Sequence, residues 1–209
     1  MSDQIILIGD VHGCSAELAR LLEKVSPTVD DRVVFLGDLT NKGPDPRGVF
    51  RIVQSLSCVC IRGNHDNGHL KWREGIVGPN KEMRETRRLM GEKDYEAYVD
   101  MVLHMPLYFE TDRLIAVHAA LRNGLLLSLQ PAELLMGEIP IEKTWKDSLE
   151  SDRSVVVGHK RYGRVPEEPY IEEGRFYGID TGCVYGGALT ALAYPSGKIW
   201  QTKAKKTYA

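Results

Sequence analysis

Paired cysteines, long apolar runs and an excess of positive charge are all missing from this chain of 209 residues, and each absence closes off a class of protein. Only four cysteines occur, Cys14, Cys58, Cys60 and Cys183, with no C-x-x-C pair among them. That spacing argues against a disulfide framework and predicts reduced, mostly buried thiols. No apolar run nears the roughly 18 to 20 residues of a bilayer-spanning helix. The opening Met-Ser-Asp-Gln lacks the basic region and apolar stretch of an export signal, so a cytoplasmic protein with no membrane partner is expected. A net charge of −2 is not that of a general nucleic-acid binder, and no stable nucleic-acid complex is expected. What is present is ordinary for a globular chain: 43% apolar and 27% charged residues, which excludes disorder.

The patterning predicts an α/β fold. Ile5 to Ile8 is a short apolar run that stops at Gly9-Asp10 and reads as a buried strand. Ser15 is the expected N-cap of a helix with Leu18, Leu21, Leu22 and Val25 on one face. The plan repeats: Val33 to Leu36 as a strand, a helix opened by Pro46, then Cys58 to Ile61 as a third strand. Strands alternating with helices imply parallel crossovers. Later strands are expected at 114–117, 154–157, 176–179, 188–193 and 199–202, the last two joined by a turn at Pro195-Ser196-Gly197-Lys198. Between the halves, residues 71–93 carry seven Lys or Arg against four Glu. Asp94 to His104 follows as a helix with Tyr95, Tyr98, Val99 and Val102 as its apolar face. The reading is a single domain over 1–209, with a helical, basic insertion at about 70–105. Its fold is layered, two mixed β-sheets sandwiched with helices outside and chemistry at the carboxyl ends of the strands.

Those ends share a character. The first strand runs into Asp10 and His12, the second into Asp38, the third into Asn64 and His65, and later ones into His118 and His159. Ligands of open α/β sheets collect at such ends. A set of carboxylate, amide and imidazole groups without thiolate suits Mn²⁺, Fe²⁺ or Zn²⁺ in a reactive rather than a structural site. His69 and His104 fall outside these clusters and are expected to be structural.

Gly-Asp-Val-His-Gly at 9–13, Gly-Asp at 37–38, Gly-Asn-His-Asp at 63–66, the lone His118 and Gly-His at 158–159 together resemble the calcineurin-like metallophosphoesterases, in particular their phosphoprotein-phosphatase branch. The resemblance implies that Asp10 and His12 bind one metal, that Asp38 bridges, and that Asn64, His118 and His159 complete the second site. It implies His65 as the general acid, with Gly-Ile-Asp-Thr-Gly at 178–182 beside the site. Two divalent ions are implied, Mn first, with Fe, Zn, Co, Ni and Mg as alternatives. A water shared between them would be acidified and aimed at phosphorus.

The second motif departs from the protein-phosphatase pattern Gly-Asp-x-x-Asp-Arg-Gly, reading Gly37-Asp38-Leu39-Thr40-Asn41-Lys42-Gly43-Pro44. The acid that would orient the catalytic imidazole is Asn41, and the phosphate-gripping Arg is Lys42. This version resembles the symmetrical bis(5'-nucleosyl)-tetraphosphatases and ApaH-like phosphatases. A neutral Asn41 removes the carboxylate that would favour a cationic His65. Loss of a strong acid matters for a serine alkoxide, with pKa near ~15, and far less for an anhydride leaving group of pKa about 7. The expected activity is therefore cleavage of phosphoanhydrides in dinucleoside polyphosphates. A serine/threonine or tyrosine protein phosphatase is the alternative, and hydrolysis of polyphosphate or nucleoside-capped RNA a further one. The partner is a phosphorylated small molecule or nucleotide, or else a phosphoprotein. Lys42, Asn41 and Arg161 are the expected substrate contacts, and a cap in which Arg84, Arg87 and Arg88 hold polyphosphate is a further option.

Overall fold

The computed structural model describes residues 4–165 and 167–209. Strand β1 (Ile5–Ile8) is buried at all four residues because both of its faces are covered. Ile5 and Leu7 pack with Val34, Leu36 and Ile61 against Leu114, Ala116, Val156 and Tyr177 of the facing sheet. Ile6 and Ile8 turn the other way, onto Leu18, Leu21, Val49 and Val53 of two covering helices. A strand buried on both sides needs no polar alternation, which is why it reads as a continuous apolar run.

The first sheet has β1 at its centre. Strands β2 (Arg32–Phe35) and β3 (Cys58–Cys60) lie parallel to it on one side. The β9 (Ala188–Tyr194) and β10 (Lys198–Lys203) hairpin lies antiparallel on the other. In the second sheet β5 (Leu114–Val117), β6 (Ser154–Val157) and β8 (Phe176–Gly178) run parallel, edged by β4 (Tyr108–Glu110) and β7 (Tyr170–Glu172). The two five-stranded mixed sheets match the expected layered α/β fold. The two edge strands escape sequence reading because three residues are too few to show a period.

Helix α1 (Ser15–Val25) begins one residue earlier than expected. Ser15 is inside it rather than capping it, and its hydroxyl donates to Asp45 Oδ2 at 2.6 Å. Asp45 also accepts the Gly48 N–H at 2.9 Å, capping α2 (Pro46–Ser55), so one carboxylate ties two helix starts together. Helices α3 (Asn64–Arg73), α4 (Lys81–Met90) and α5 (Glu92–His104) fill the middle of the chain. Tyr95, Tyr98, Val99 and Val102 face inward from α5 and join the same core as Ile6, Ile8 and Phe35. Among the described residues no helix is long and apolar enough to cross a membrane.

Candidate metal centre

Of the six non-glycine residues with positive φ among the described residues, all but Ser26, which ends α1, gather at one rim. His12, Asp38, Asn41, Lys42 and His159 all have positive φ, between 45° and 69°. Non-glycine residues in the left-handed region are held there only by surrounding structure, and such strain clusters at functional sites. Asp66 shows what holds one of them. Fully buried, it accepts the N–H of Asp38 at 2.7 Å, of Leu39 at 3.0 Å and of Gly63 at 3.1 Å, and the Tyr98 hydroxyl at 2.7 Å. Gly63 passes so close that a Cβ there would collide with the Asp38 carboxylate, which leaves glycine as the residue that fits.

The expected ligands converge. Asp38 Oδ2 lies 3.6 Å from His12 Nε2 and 3.5 Å from His118 Nε2, between the two imidazoles. Asn64 Oδ1 is 3.2 Å from His118 Nε2 and 3.1 Å from His159 Nδ1. Two donor groups at this rim, each within 4.8 Å, could hold an ion: His12, Asp38 and His65, and Asp38, His118 and His159. Asp10 belongs to neither group, but its carboxylate accepts the His159 N–H at 3.0 Å on the same rim. Backbone carbonyls fix the ring tautomers. The Nδ1–H of His12 donates to Thr40 O at 2.9 Å and that of His118 to Leu36 O at 2.7 Å, so both Nε2 lone pairs face the centre.

Electrostatics point the same way. Burial, then repulsion from Asp180 and Asp38, holds Asp10 well above the usual carboxylate range. Asp180 is raised chiefly by burial, with Asp38 adding to it. Burial works against Asp38 as well, but His118, His65, His12 and His159 together hold it low. Burial also pushes His12 and His159 down to about 3, so both present neutral rings. Crowded buried carboxylates among neutral imidazoles are the donor chemistry of divalent cations, and these residues fit a pair of them.

A second wall adjoins the first through His65, whose N–H donates to Asp38 Oδ1 at 3.0 Å. The Asn41 side-chain amide meets His65 Nδ1 at 3.0 Å, and Lys42 Nζ lies 2.9 Å from His65 Nε2 and 3.3 Å from His12 Nε2. Glu82, on α4, places Oε2 3.7 Å from His65 Nδ1. Lys42 Nζ sits 5.4 Å from the Tyr185 ring, and the Arg161 guanidinium 5.3 Å from the same ring. Both expected cations thus flank one exposed aromatic.

The arginines of the middle stretch behave otherwise. Arg87 pairs with Glu92 at 2.5 Å and Arg88 with Glu85 at 2.6 Å, while Arg84 donates to Pro79 O at 2.6 Å. The polyphosphate cap considered for them has no support here, since each is turned to a neighbour on its own segment. Sequence reading missed Asp66, Glu82 and Tyr185. Asp66 was visible as the last letter of Gly-Asn-His-Asp. Glu82 and Tyr185 lie in segments whose placement only the fold determines.

Comparison with known proteins agrees with this geometry. Residues 4–192 match the family model of the calcineurin-like phosphoesterases. A relative from Halalkalibacterium halodurans, named bis(5'-nucleosyl)-tetraphosphatase PrpE [asymmetrical], is 31% identical over 92% of this chain and 90% of its own. The Bacillus subtilis protein of the same name is 26% identical over 90% of each. A crystal structure provisionally described as a diadenosine tetraphosphatase superposes with a TM-score of 0.76 at 26% identity, over 98% of this chain and 95% of that one. A protein serine/threonine phosphatase from Saccharomyces cerevisiae shares the fold, with a TM-score of 0.66 at 15% identity, over 97% of this chain and 79% of that one. With its sheets, its rim of carboxylates and imidazoles and its relatives all in agreement, the chain belongs to the calcineurin-like phosphoesterases and is a phosphatase-type hydrolase.

Proposed function

We propose that this protein hydrolyses phosphoanhydride bonds in dinucleoside polyphosphates of the diadenosine tetraphosphate type. The observation that carries the reading is the group beside His65, an Asn41 amide at 3.0 Å where a protein phosphatase has a carboxylate. An amide does little to stabilise an imidazolium, and an anhydride leaving group requires little proton donation. The names of the relatives, bis(5'-nucleosyl)-tetraphosphatase, support the same substrate class and specify asymmetrical cleavage.

In this reading Asp10, His12, Asp38, Asn64, His118 and His159 hold two divalent ions, with Mn²⁺ as the expected native metal. Such ions supply Lewis acidity toward phosphate oxygens and an activated water nucleophile. The chain's own side chains do the rest. Lys42 holds a phosphate oxygen beside His65, and Arg161 grips the next phosphate along the chain. His65 hands its proton to the departing oxygen. Tyr185, 44% exposed between the two cations, offers a stacking face to one base. The four free cysteines suit a reducing compartment, which supports a cytoplasmic setting.

Glu82 favours a second reading, a protein phosphatase, because its carboxylate 3.7 Å from His65 Nδ1 restores a negative charge near the ring. The deciding measurement is kcat/KM for diadenosine tetraphosphate and for a phosphoserine peptide, side by side with Mn²⁺. A large preference for the nucleotide is expected, and a large preference for the peptide would replace the first reading with the second.

A further inference from the structure

A cavity of about 240 Å³ opens beside His65, between Lys42 and one face of α4. Glu82, Glu85, Thr86 and Leu89 line it, with Lys81 beside them. Those four stand at positions i, i+3, i+4 and i+7, the spacing of a single helical face. At the inner end Glu82 Oε2 lies 3.7 Å from His65 Nδ1, and Lys42 forms the adjoining wall. Leu89 follows Glu82 by seven residues, about 10 Å along the helix axis. The cavity is thus continuous with the place where Lys42 meets phosphate, and no expected metal ligand lines it.

The walls decide what fits. Arg88 holds Glu85 through two hydrogen bonds, at 2.8 and 2.6 Å. Glu82 differs: among the described residues it pairs with no lysine or arginine. A carboxylate only accepts hydrogen bonds, so a ligand at Glu82 has to donate. Sugar hydroxyls donate, and in dinucleotide-binding folds a carboxylate holds a ribose hydroxyl in this way. A further phosphate would bring negative charge against Glu82 instead. Leu89, half-buried, offers apolar surface beyond the carboxylate. Outward from His65 the order is cation, carboxylate, apolar surface, which matches phosphate, ribose and base. The volume falls below the ~300 Å³ at which drug-sized sites begin, and that leaves room for one nucleoside.

We propose that this cavity binds the nucleoside at the departing end of the substrate, with Lys42 on its phosphate, Glu82 accepting from its ribose hydroxyls and Leu89 against its base. With Glu82 so near His65, a single phosphate lies between the ribose and the reacting centre. Water therefore attacks the second phosphorus. Its hydroxyl joins that phosphorus, and the bond from there to the oxygen bridging the first two phosphates breaks. The bridging oxygen leaves on a nucleoside monophosphate with the water's remaining proton, and the other product is the nucleoside triphosphate. The departing-end role rests on the proposed function. Binding of a nucleoside monophosphate does not, and it is read separately.

The test uses the full chain with Mn²⁺. Leu89→Trp fills the far end of the cavity, and kcat/KM on diadenosine tetraphosphate should fall about tenfold further than on nitrophenyl phosphate, which carries no nucleoside. Calorimetric titration with AMP should show binding about tenfold weaker in the same variant. Replacing both riboses of the substrate by 2',3'-dideoxyribose should cost the parent about tenfold or more, the scale of a hydrogen bond to a charged group. In Glu82→Gln that gap should shrink to about threefold or less. A Glu82 acting only through its charge near His65 would leave the gap at its parental width. In ¹⁸O-labelled water the label should enter ATP and not AMP. Should Leu89→Trp fail to fold, the dideoxy gap and the label carry the test. A gap unchanged by Glu82→Gln, label in AMP, two ADP as products, or AMP bound equally by parent and Leu89→Trp would each overturn the subsite. AMP binding weakened in Leu89→Trp, with a phosphoserine peptide preferred as substrate, would remove the substrate reading alone.

Discussion

The two walls of the site are built by different means. On the metal side, His12 and His118 are oriented by backbone carbonyls of Thr40 and Leu36, and the Asp38 carboxylate accepts the main-chain N–H of His65 at 3.0 Å. On the other wall, His65 meets side chains alone, Glu82 and an Asn41 amide itself held by His69 and Thr86, drawn from a loop and two helices. Backbone supports persist through substitution of the residue that carries them, whereas a side-chain support is one codon from change. The first wall is therefore suited to holding constant chemistry, and the second to adjusting which leaving group is served.

The largest effect should come from breaking the first wall. Asp38→Asn removes the carboxylate shared by His12 and His118, and turnover should fall by about 10³-fold or more, on the scale of a lost charge-stabilising group. Metal content by elemental analysis should fall with it. Two retained metals with activity within tenfold of the parent would contradict the shared role.

The second wall should respond selectively. His65→Asn is expected to slow an alkyl phosphate by about 10²-fold or more and nitrophenyl phosphate by much less, because general acids matter in proportion to the basicity of the leaving group. Equal losses would leave His65 a positioning group only. Lys42→Ala should lower kcat/KM by about tenfold or more on every substrate, since an ammonium grips phosphate without regard to what departs.

Smaller still is the expected gain in Asn41→Asp. A carboxylate there would accept from His65 Nδ1–H and stabilise the cation. Phosphoserine peptide turnover should rise several-fold and that of diadenosine tetraphosphate should stay level, measured as kcat/KM. The least effect is one on stability. His69 folds as a neutral ring, pushed from its ordinary 6.5 down to about 3 by burial. The unfolded chain thus binds more protons between those values, so the contribution of His69 is complete above pH 6.5 and is lost as pH falls toward 3. Urea unfolding of the metal-free protein across that window should lose about 1 kcal/mol per pH unit from this group, and His69→Gln should flatten the slope.

Much of this was legible in the residues. Apolar runs buried on both faces announced β1, β2, β5 and β6, and each ended in a polar residue that the fold carries to the rim. The metal wall was readable because the residues expected to line it sit immediately after strands, where chain direction alone sets position. His69 was not, since its partners Asn41 and Tyr95 come from two separate segments and no spacing along the chain records their meeting. The basic middle stretch stayed open for a related reason: counting charges cannot show which partners Arg87 and Arg88 take, here Glu92 and Glu85.

Asp66 has a bearing on how far the molecule can be pared down. Its carboxylate joins the Asp38 turn, the first turn of α3 and the Tyr98 hydroxyl of α5 in one buried knot. The helices between the two halves are in this sense the scaffolding against which the Asp38 turn sets. A shortened enzyme lacking them would lose the Tyr98 anchor and open part of the core to solvent. Miniaturisation of this scaffold has to begin elsewhere, at the exposed loops of the second sheet.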